Sequence, residues 1–179
     1  MNVVNIKQKR NDGLVYLPNE TKPFTGMFVD WHPNGQKKDE VNYIDGWAVG
    51  TRTVWYNNAQ KNEEINYIDG KLDGKYTQWY KSGTKVEESN YIDGKLDGKY
   101  TRWYENGQKD TESNYIDGKL DGKYTQWFED GQKYIGSNYI DGKETSFIVM
   151  RLKKIGINPK KWYFVIFTVV IIFFLNQIH

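Results

Sequence analysis

A fixed period constrains this chain more than any other feature. Tyr43, Tyr67, Tyr91, Tyr115 and Tyr139 stand 24 residues apart, and Trp31, Trp55, Trp79, Trp103 and Trp127 keep the same step. Gly26, Gly50, Gly74, Gly98 and Gly122 follow it too, as do the Asp-Gly pairs from Asp45-Gly46 to Asp141-Gly142. Between 71–94 and 95–118 only positions 78, 81, 82, 84, 86 and 87 of the first copy differ from the second. A period in this range means stacked supersecondary units, with the most divergent copies at the ends as caps.

Each unit reads as a β-hairpin. The segment 75–80, "KYTQWY", is dense in aromatic and β-branched residues that suit a half-buried pleated surface. Asn-Gly at 34–35 and 106–107, Asp-Gly at 130–131 and Ser-Gly at 82–83 then supply the residues a two-residue turn needs at positive φ. Asn58-Ala59 breaks the rule and predicts a looser or different turn. A second strand follows over about 85–92, closed by "DGKLDG". No helical period occurs before residue 144.

A two-residue turn sets Tyr80 opposite Lys85, Tyr76 opposite Ser89 and Gly74 opposite Tyr91. Tyr76, Tyr80 and Tyr91 then line one face, with Tyr91 over the bare glycine, and Trp79 lies on the other face beside Val86 and Thr77. One hairpin is marginal in water, because ordering costs about 1–2 kcal/mol per residue. Copies laid side by side extend the sheet and stack their aromatics into ladders. The expected fold is therefore all-β, an elongated single-layer antiparallel meander of tandem 24-residue hairpins with a C-terminal hydrophobic helix, and with no thick globular core.

The pattern G-K-Y-T-x-W-Y-x-N-G-Q-K-x-x-E-x-N-Y-x-D-G-K-x-x-G resembles the MORN repeat (membrane occupation and recognition nexus) in its bacterial variant form. "KPFTG" at Lys22 to Gly26 is similar to the opening of bacterial proteins of the YwqK-type toxin–antitoxin antitoxin family. The resemblance covers about residues 14–143. It departs at Ala59, at Trp47-Ala48-Val49, and at Gly136, where other copies have Glu. It implies a β-meander used for binding or scaffolding.

Composition excludes more than it assigns. With no cysteine there is neither disulfide nor thiolate metal site. Residues 1–143 carry 20 Lys and Arg against 22 Asp and Glu, a poor electrostatic match for nucleic acid. The aspartates of "DGKLDG" (Asp69 and Asp73, Asp93 and Asp97, Asp117 and Asp121) lie four apart, but a calcium loop needs more oxygen ligands and a closing bidentate carboxylate. Turn chemistry accounts for them without metal. His32 and His179 are the only histidines, no serine has a histidine placed to activate it, and no glycine-rich phosphate loop opens a helix. The expectation is a non-enzymatic protein without cofactor or metal.

Residues 144–179 carry five basic residues and one acidic. Arg151, Lys153, Lys154, Lys160 and Lys161 precede "WYFVIFTVVIIFFL", which runs uncharged from Trp162 to Leu175. As a helix this stretch reaches about 21 Å, and about 25 Å if extended to Ile178, against a hydrocarbon core of about 30 Å. Lys160 and Lys161 beside interfacial Trp162 and Tyr163 favour a membrane flank, and the positive side sets the repeats in the cytoplasm. "MNVVNIKQKRNDG" has no apolar h-region and does not read as a secretory signal. The expected organisation is an N-terminal segment (1–13), a repeat domain (14–143), a basic juxtamembrane linker (144–161) and a single-pass anchor (162–178). Within the linker, "SFIVMRLKKIG" (146–156) reads either as an interfacial helix or as a strand capping the sheet.

The candidate binding residues are of two kinds. The ladder aromatics are Tyr76, Trp79, Tyr80, Tyr91, Tyr100, Trp103, Tyr104, Tyr115, Tyr124 and Trp127. Most of their surface serves packing between repeats, but a one-layer sheet leaves one row open to a partner. The hairpin tips Lys81, Ser82, Thr84, Glu105, Asn106 and Gln108 hold three of the six differences between the two most similar copies, and the other three flank them. The expected use is protein interaction through one of these rows, tethered to a membrane, with self-association as another way to cover the row. Two other classes are an antitoxin whose tips bind a toxin protein, and a carbohydrate-binding aromatic repeat of the cell wall.

Overall fold

The computed structural model describes residues 12–145 and the backbone of residues 3–4 and 8–9. The strands are β1 (Val3–Val4), β2 (Gln8–Lys9), β3 (Val15–Tyr16), β4 (Gly26–Trp31), β5 (Lys37–Ile44), β6 (Trp47–Trp55), β7 (Lys61–Ile68) and β8 (Lys71–Trp79). They continue as β9 (Lys85–Ile92), β10 (Lys95–Leu96), β11 (Gly98–Trp103), β12 (Lys109–Ile116), β13 (Lys119–Leu120), β14 (Gly122–Trp127), β15 (Lys133–Ile140) and β16 (Lys143–Glu144). Among the described residues, fourteen of these form one open sheet in which chain neighbours pair antiparallel; β1 joins β4 in parallel, and β2 and β3 pair apart. The helix and membrane anchor expected beyond residue 161, and the segment 146–156, lie outside the described residues.

The expected cross-strand register holds in the body of each hairpin. Gly74 pairs with Tyr91 and Tyr76 with Ser89, and the same pairs recur as Gly98–Tyr115 with Tyr100–Ser113 and as Gly122–Tyr139 with Tyr124–Ser137. At the tip the register shifts. Trp79, not Tyr80, stands opposite Lys85, and Val86 is the extra residue of a bulge. The expected neighbours Trp79 and Val86 are therefore not cross-strand partners.

The cause is the turn. Gly83 donates its N–H to the Tyr80 carbonyl and Tyr80 donates back to Thr84, both at 2.8 Å, and only Gly83 has positive φ (92°). This is a three-residue loop in which one left-handed residue follows a turn of negative φ. The tip asparagines serve another purpose than positive φ: the side-chain oxygens of Asn34, Asn58 and Asn106 accept the N–H two residues on, at 2.9–3.2 Å. The two-residue turn sits at the opposite end of each hairpin, where both residues of Asp93-Gly94 have positive φ (50° and 81°) and every copy repeats the geometry.

Ala59 does not loosen its turn. It takes the glycine position at φ 66° and closes the same pair of bonds as its counterparts, Ala59 to Tyr56 at 3.0 Å and Tyr56 to Gln60 at 2.9 Å. The alanine bears the strain instead.

Gly98 also departs from expectation. A Cβ built on it meets only Asn90, at 3.9–4.0 Å, with no aromatic atom within 4 Å. Its glycine is required by φ 96°, where the strand takes up extra residues between Leu96, opposite Tyr91, and Thr101, opposite Glu88.

The buried core is concentrated at the start. Val15, Phe24, Phe28, Val41 and Tyr43 form one cluster, with Leu17 and Ala48 against it. Beyond Ile65, the buried positions of the sheet are threonines and serines.

Candidate functional site

Because strand residues alternate sides, each repeat divides its side chains between two faces. One face carries the tyrosine pairs Tyr76–Tyr91, Tyr100–Tyr115 and Tyr124–Tyr139, edge-to-face with centroids 5.9–6.3 Å apart. Each pair spans a buried serine, Ser89, Ser113 or Ser137, in the centre of its hairpin. The rings are half-buried, so they pack and remain reachable. Burial pushes the Tyr76 and Tyr100 hydroxyls well above the usual phenol range; the carboxylates of Glu63 and Glu87 add to this at Tyr76, and Glu87 at Tyr100. Tyr100 thus stays a donor, and its hydroxyl donates to Glu87 Oε2 at 3.1 Å.

On the other face Trp55, Trp79, Trp103 and Trp127 make contacts between repeats and stay half-buried. Lys37, Lys61, Lys85 and Lys109 each lie 5.4–5.8 Å from the ring centre of a tryptophan in the next repeat, Trp55, Trp79, Trp103 and Trp127 respectively. Each of these lysines also pairs with the glutamate three residues on; Lys85–Glu88 is at 2.5 Å and Lys109–Glu112 at 2.6 Å, with Lys37–Glu40 and Lys61–Glu64 alike. Those lysines hold the Glu88 and Glu112 carboxyls below the usual range.

The tip row stitches repeats together. Tyr56, Tyr80 and Tyr104 donate their hydroxyls to the carbonyls of Trp79, Trp103 and Trp127 at 2.8–3.1 Å. His32 holds the same place in the first copy, its Nε2–H on the Trp55 carbonyl at 2.9 Å. Asn34, Asn58 and Asn106 donate to the carbonyls of Asn57, Lys81 and Glu129. Tyr80 and Tyr104 therefore belong to the tip row and not to the paired tyrosine face, and Asn106 spends its amide on the neighbouring repeat. Lys81, Ser82, Glu105 and Gln108 remain exposed there, with Thr84 half-buried.

At the other end of each hairpin, Asp73, Asp97 and Asp121 accept the N–H of Asp93, Asp117 and Asp141 in the next turn at 3.1–3.2 Å. Lys71, Lys95 and Lys119 reach the carboxylates of those turn aspartates. The "DGKLDG" aspartates are thus used between repeats, and among the described residues no cluster of three His, Asp or Glu could hold a metal ion.

Two features escaped the sequence reading. Ile44, Ile68, Ile92, Ile116 and Ile140 form a row that is 54–64% exposed at the Asp-Gly end. Its signal was the constant Ile before each Asp-Gly. Glu63 and Glu87 on the tyrosine face, one period apart, are the second. The flank residues Lys160, Lys161, Trp162 and Tyr163 lie outside the described residues.

Fold and rows together define a tandem β-hairpin repeat protein. Three of its segments, 24–45, 72–93 and 96–117, match the MORN repeat variant family. No curated protein matches the chain, so the antitoxin resemblance rests on the repeat pattern and residues 22–26 alone.

Proposed function

We propose that this chain is a non-enzymatic interaction scaffold, tethered to a membrane through residues 162–178, that presents its tyrosine face to a protein partner. The observation carrying this reading is the unequal use of the rows. The tips, the Asp-Gly turns and the tryptophans are engaged between repeats; the tyrosine rings pair within single hairpins, with one bond to the preceding repeat from Tyr100 to Glu87, and keep part of each ring exposed. A repeating row of rigid aromatic groups is suited to a partner running along several repeats.

The test compares full-length wild-type protein with Tyr100→Ser plus Tyr124→Ser and with a tip variant of residues 81–82 and 105–106. Partner capture is expected to fail in the tyrosine variant and survive in the tip variant, with both circular-dichroism spectra unchanged. The reverse result would move the binding surface to the tips. For the tether, full-length protein is expected to resist carbonate extraction, and a chain ending at Asn158 to be soluble; full-length protein found entirely in the soluble fraction would remove the membrane from the proposal.

A further inference from the structure

The tyrosine face does not distribute its charges as the tryptophan face does. On the tryptophan face, Glu40, Glu64, Glu88 and Glu112 each hold a lysine. Among the described residues, Glu63 and Glu87 hold no cation within salt-bridge distance. Glu63 accepts one long bond from Gln78 Nε2 (3.4 Å), and Glu87 accepts from Ser89 Oγ (3.2 Å) and Tyr100 (3.1 Å). Arg102 stands across the ladder from Glu87, but its guanidinium turns to Asp110 at 3.4 Å. A carboxylate has about four acceptor sites, so both keep acceptors free. Tyr76 feels both carboxylates, and Tyr91 forms the other wall of the same hairpin. One repeat further along this face is the buried Ser113 hydroxyl, which has no hydrogen-bond partner among the described residues. Its counterpart Ser89 donates to Glu87, whereas position 111 carries threonine where position 87 carries glutamate.

From this arrangement we infer that the tyrosine face across the second to fourth repeats docks an extended cationic peptide segment, with lysine or arginine side chains seated on Glu63 and Glu87 between tyrosine rings. The inference rests on the scaffold reading and names the partner's chemistry for the same face. An apolar partner would bury both carboxylates unpaired, and an anionic one would meet like charge. An ammonium or guanidinium group gains the carboxylate and the faces of the flanking rings together. Spacing sharpens the claim. Equivalent residues in successive repeats lie two strands apart, about 9.6 Å, and an extended polyproline-II segment covers that in about three residues, one full turn that returns the side chain to the same side. The matching segment carries basic residues at i and i+3.

The test is fluorescence anisotropy with full-length protein and labelled glycine–serine peptides of equal length. One peptide has lysines at i and i+3, one at i and i+1, and one has glutamates at i and i+3. The first is expected to bind about fivefold or more tighter than the second, and the third not at all. Glu63→Gln with Glu87→Gln is expected to weaken the first peptide about tenfold at unchanged thermal unfolding, while Glu64→Gln with Glu88→Gln on the opposite face leaves it intact. Equal binding of all three peptides, no binding of any, or loss only with the opposite-face pair would overturn the inference. So would a concentration-dependent dimer dissolved by the Glu63/Glu87 variant, which would assign the face to a second copy. If tyrosine-dependent partner capture persists while the peptides fail, the scaffold reading stands and only the cationic partner is lost.

Discussion

Val41 stands opposite Phe28 in the first repeat, and Ser113 stands opposite Tyr100 in the fourth; both are buried, at 0% and 2% exposure. Around Val41 the chain supplies apolar cover from its N-terminal part, with Val15 and Phe24 packed beside Phe28 and Tyr43. Around Ser113 the cover is the Tyr100–Tyr115 pair of the same hairpin. The second repeat lies between these solutions. Ile65 fills the central position, and Arg52, where later copies have tyrosine, makes a two-pronged bond to Asp39 at 2.7 and 2.9 Å. One backbone design is therefore sealed in two ways. The first repeat buries its face under another chain segment and gains hydrophobic stability there. The later repeats seal only a small residue and leave the outer tyrosine surface reachable, which places the candidate binding face away from the best-packed end.

Transplanting the later residue into the first repeat breaks that comparison most severely. Val41→Ser removes buried methyl groups and buries a hydroxyl among apolar neighbours, with an expected loss of about 3 kcal/mol in urea unfolding. A loss below about 1 kcal/mol would mean that the first repeat does not depend on its apolar seal. Next is the junction. Asp39→Ala leaves the partly buried Arg52 without its carboxylate and is expected to cost about 2 kcal/mol. An unchanged unfolding midpoint would show the pair to be solvated in practice.

Two smaller changes probe features shared by both regions. Gly98→Val and Gly98→Ala are each expected to cost about 1–2 kcal/mol, because the backbone there is left-handed and the added Cβ has room. A valine far more damaging than alanine would restore an overlying ring. Ala59→Gly is expected to stabilise by about 1 kcal/mol, and Gly83→Ala to destabilise by a similar amount, in thermal unfolding. No gain at Ala59 would show that the second repeat adapts its loop without strain.

The tyrosine candidates were legible because their partners are local. Tyr76 and Ser89 are joined by a short hairpin, and period-2 alternation specifies their shared face without reference to the rest of the chain. The glutamates that complete the face were harder to read. Glu63 and Glu87 resemble Glu64 and Glu88 in composition, and only the register puts one pair among tyrosines and the other among lysines.

By itself the sequence determined the 24-residue unit, the all-β hairpin class, the extent of strands such as 85–92, and the Gly74–Tyr91 and Tyr76–Ser89 registers. These follow from local alternation and from glycine's freedom at positive φ. Tertiary structure decided which turn is which and which side chains bind the repeats together. Asn-Gly and Asp-Gly are both competent for a two-residue turn, but the tip asparagine also caps its loop and reaches a carbonyl 23 residues away. The tyrosine hydroxyl at the tip likewise completes its bond only on the following copy. Such bonds depend on how neighbouring repeats stack, and local residue preferences do not contain that information.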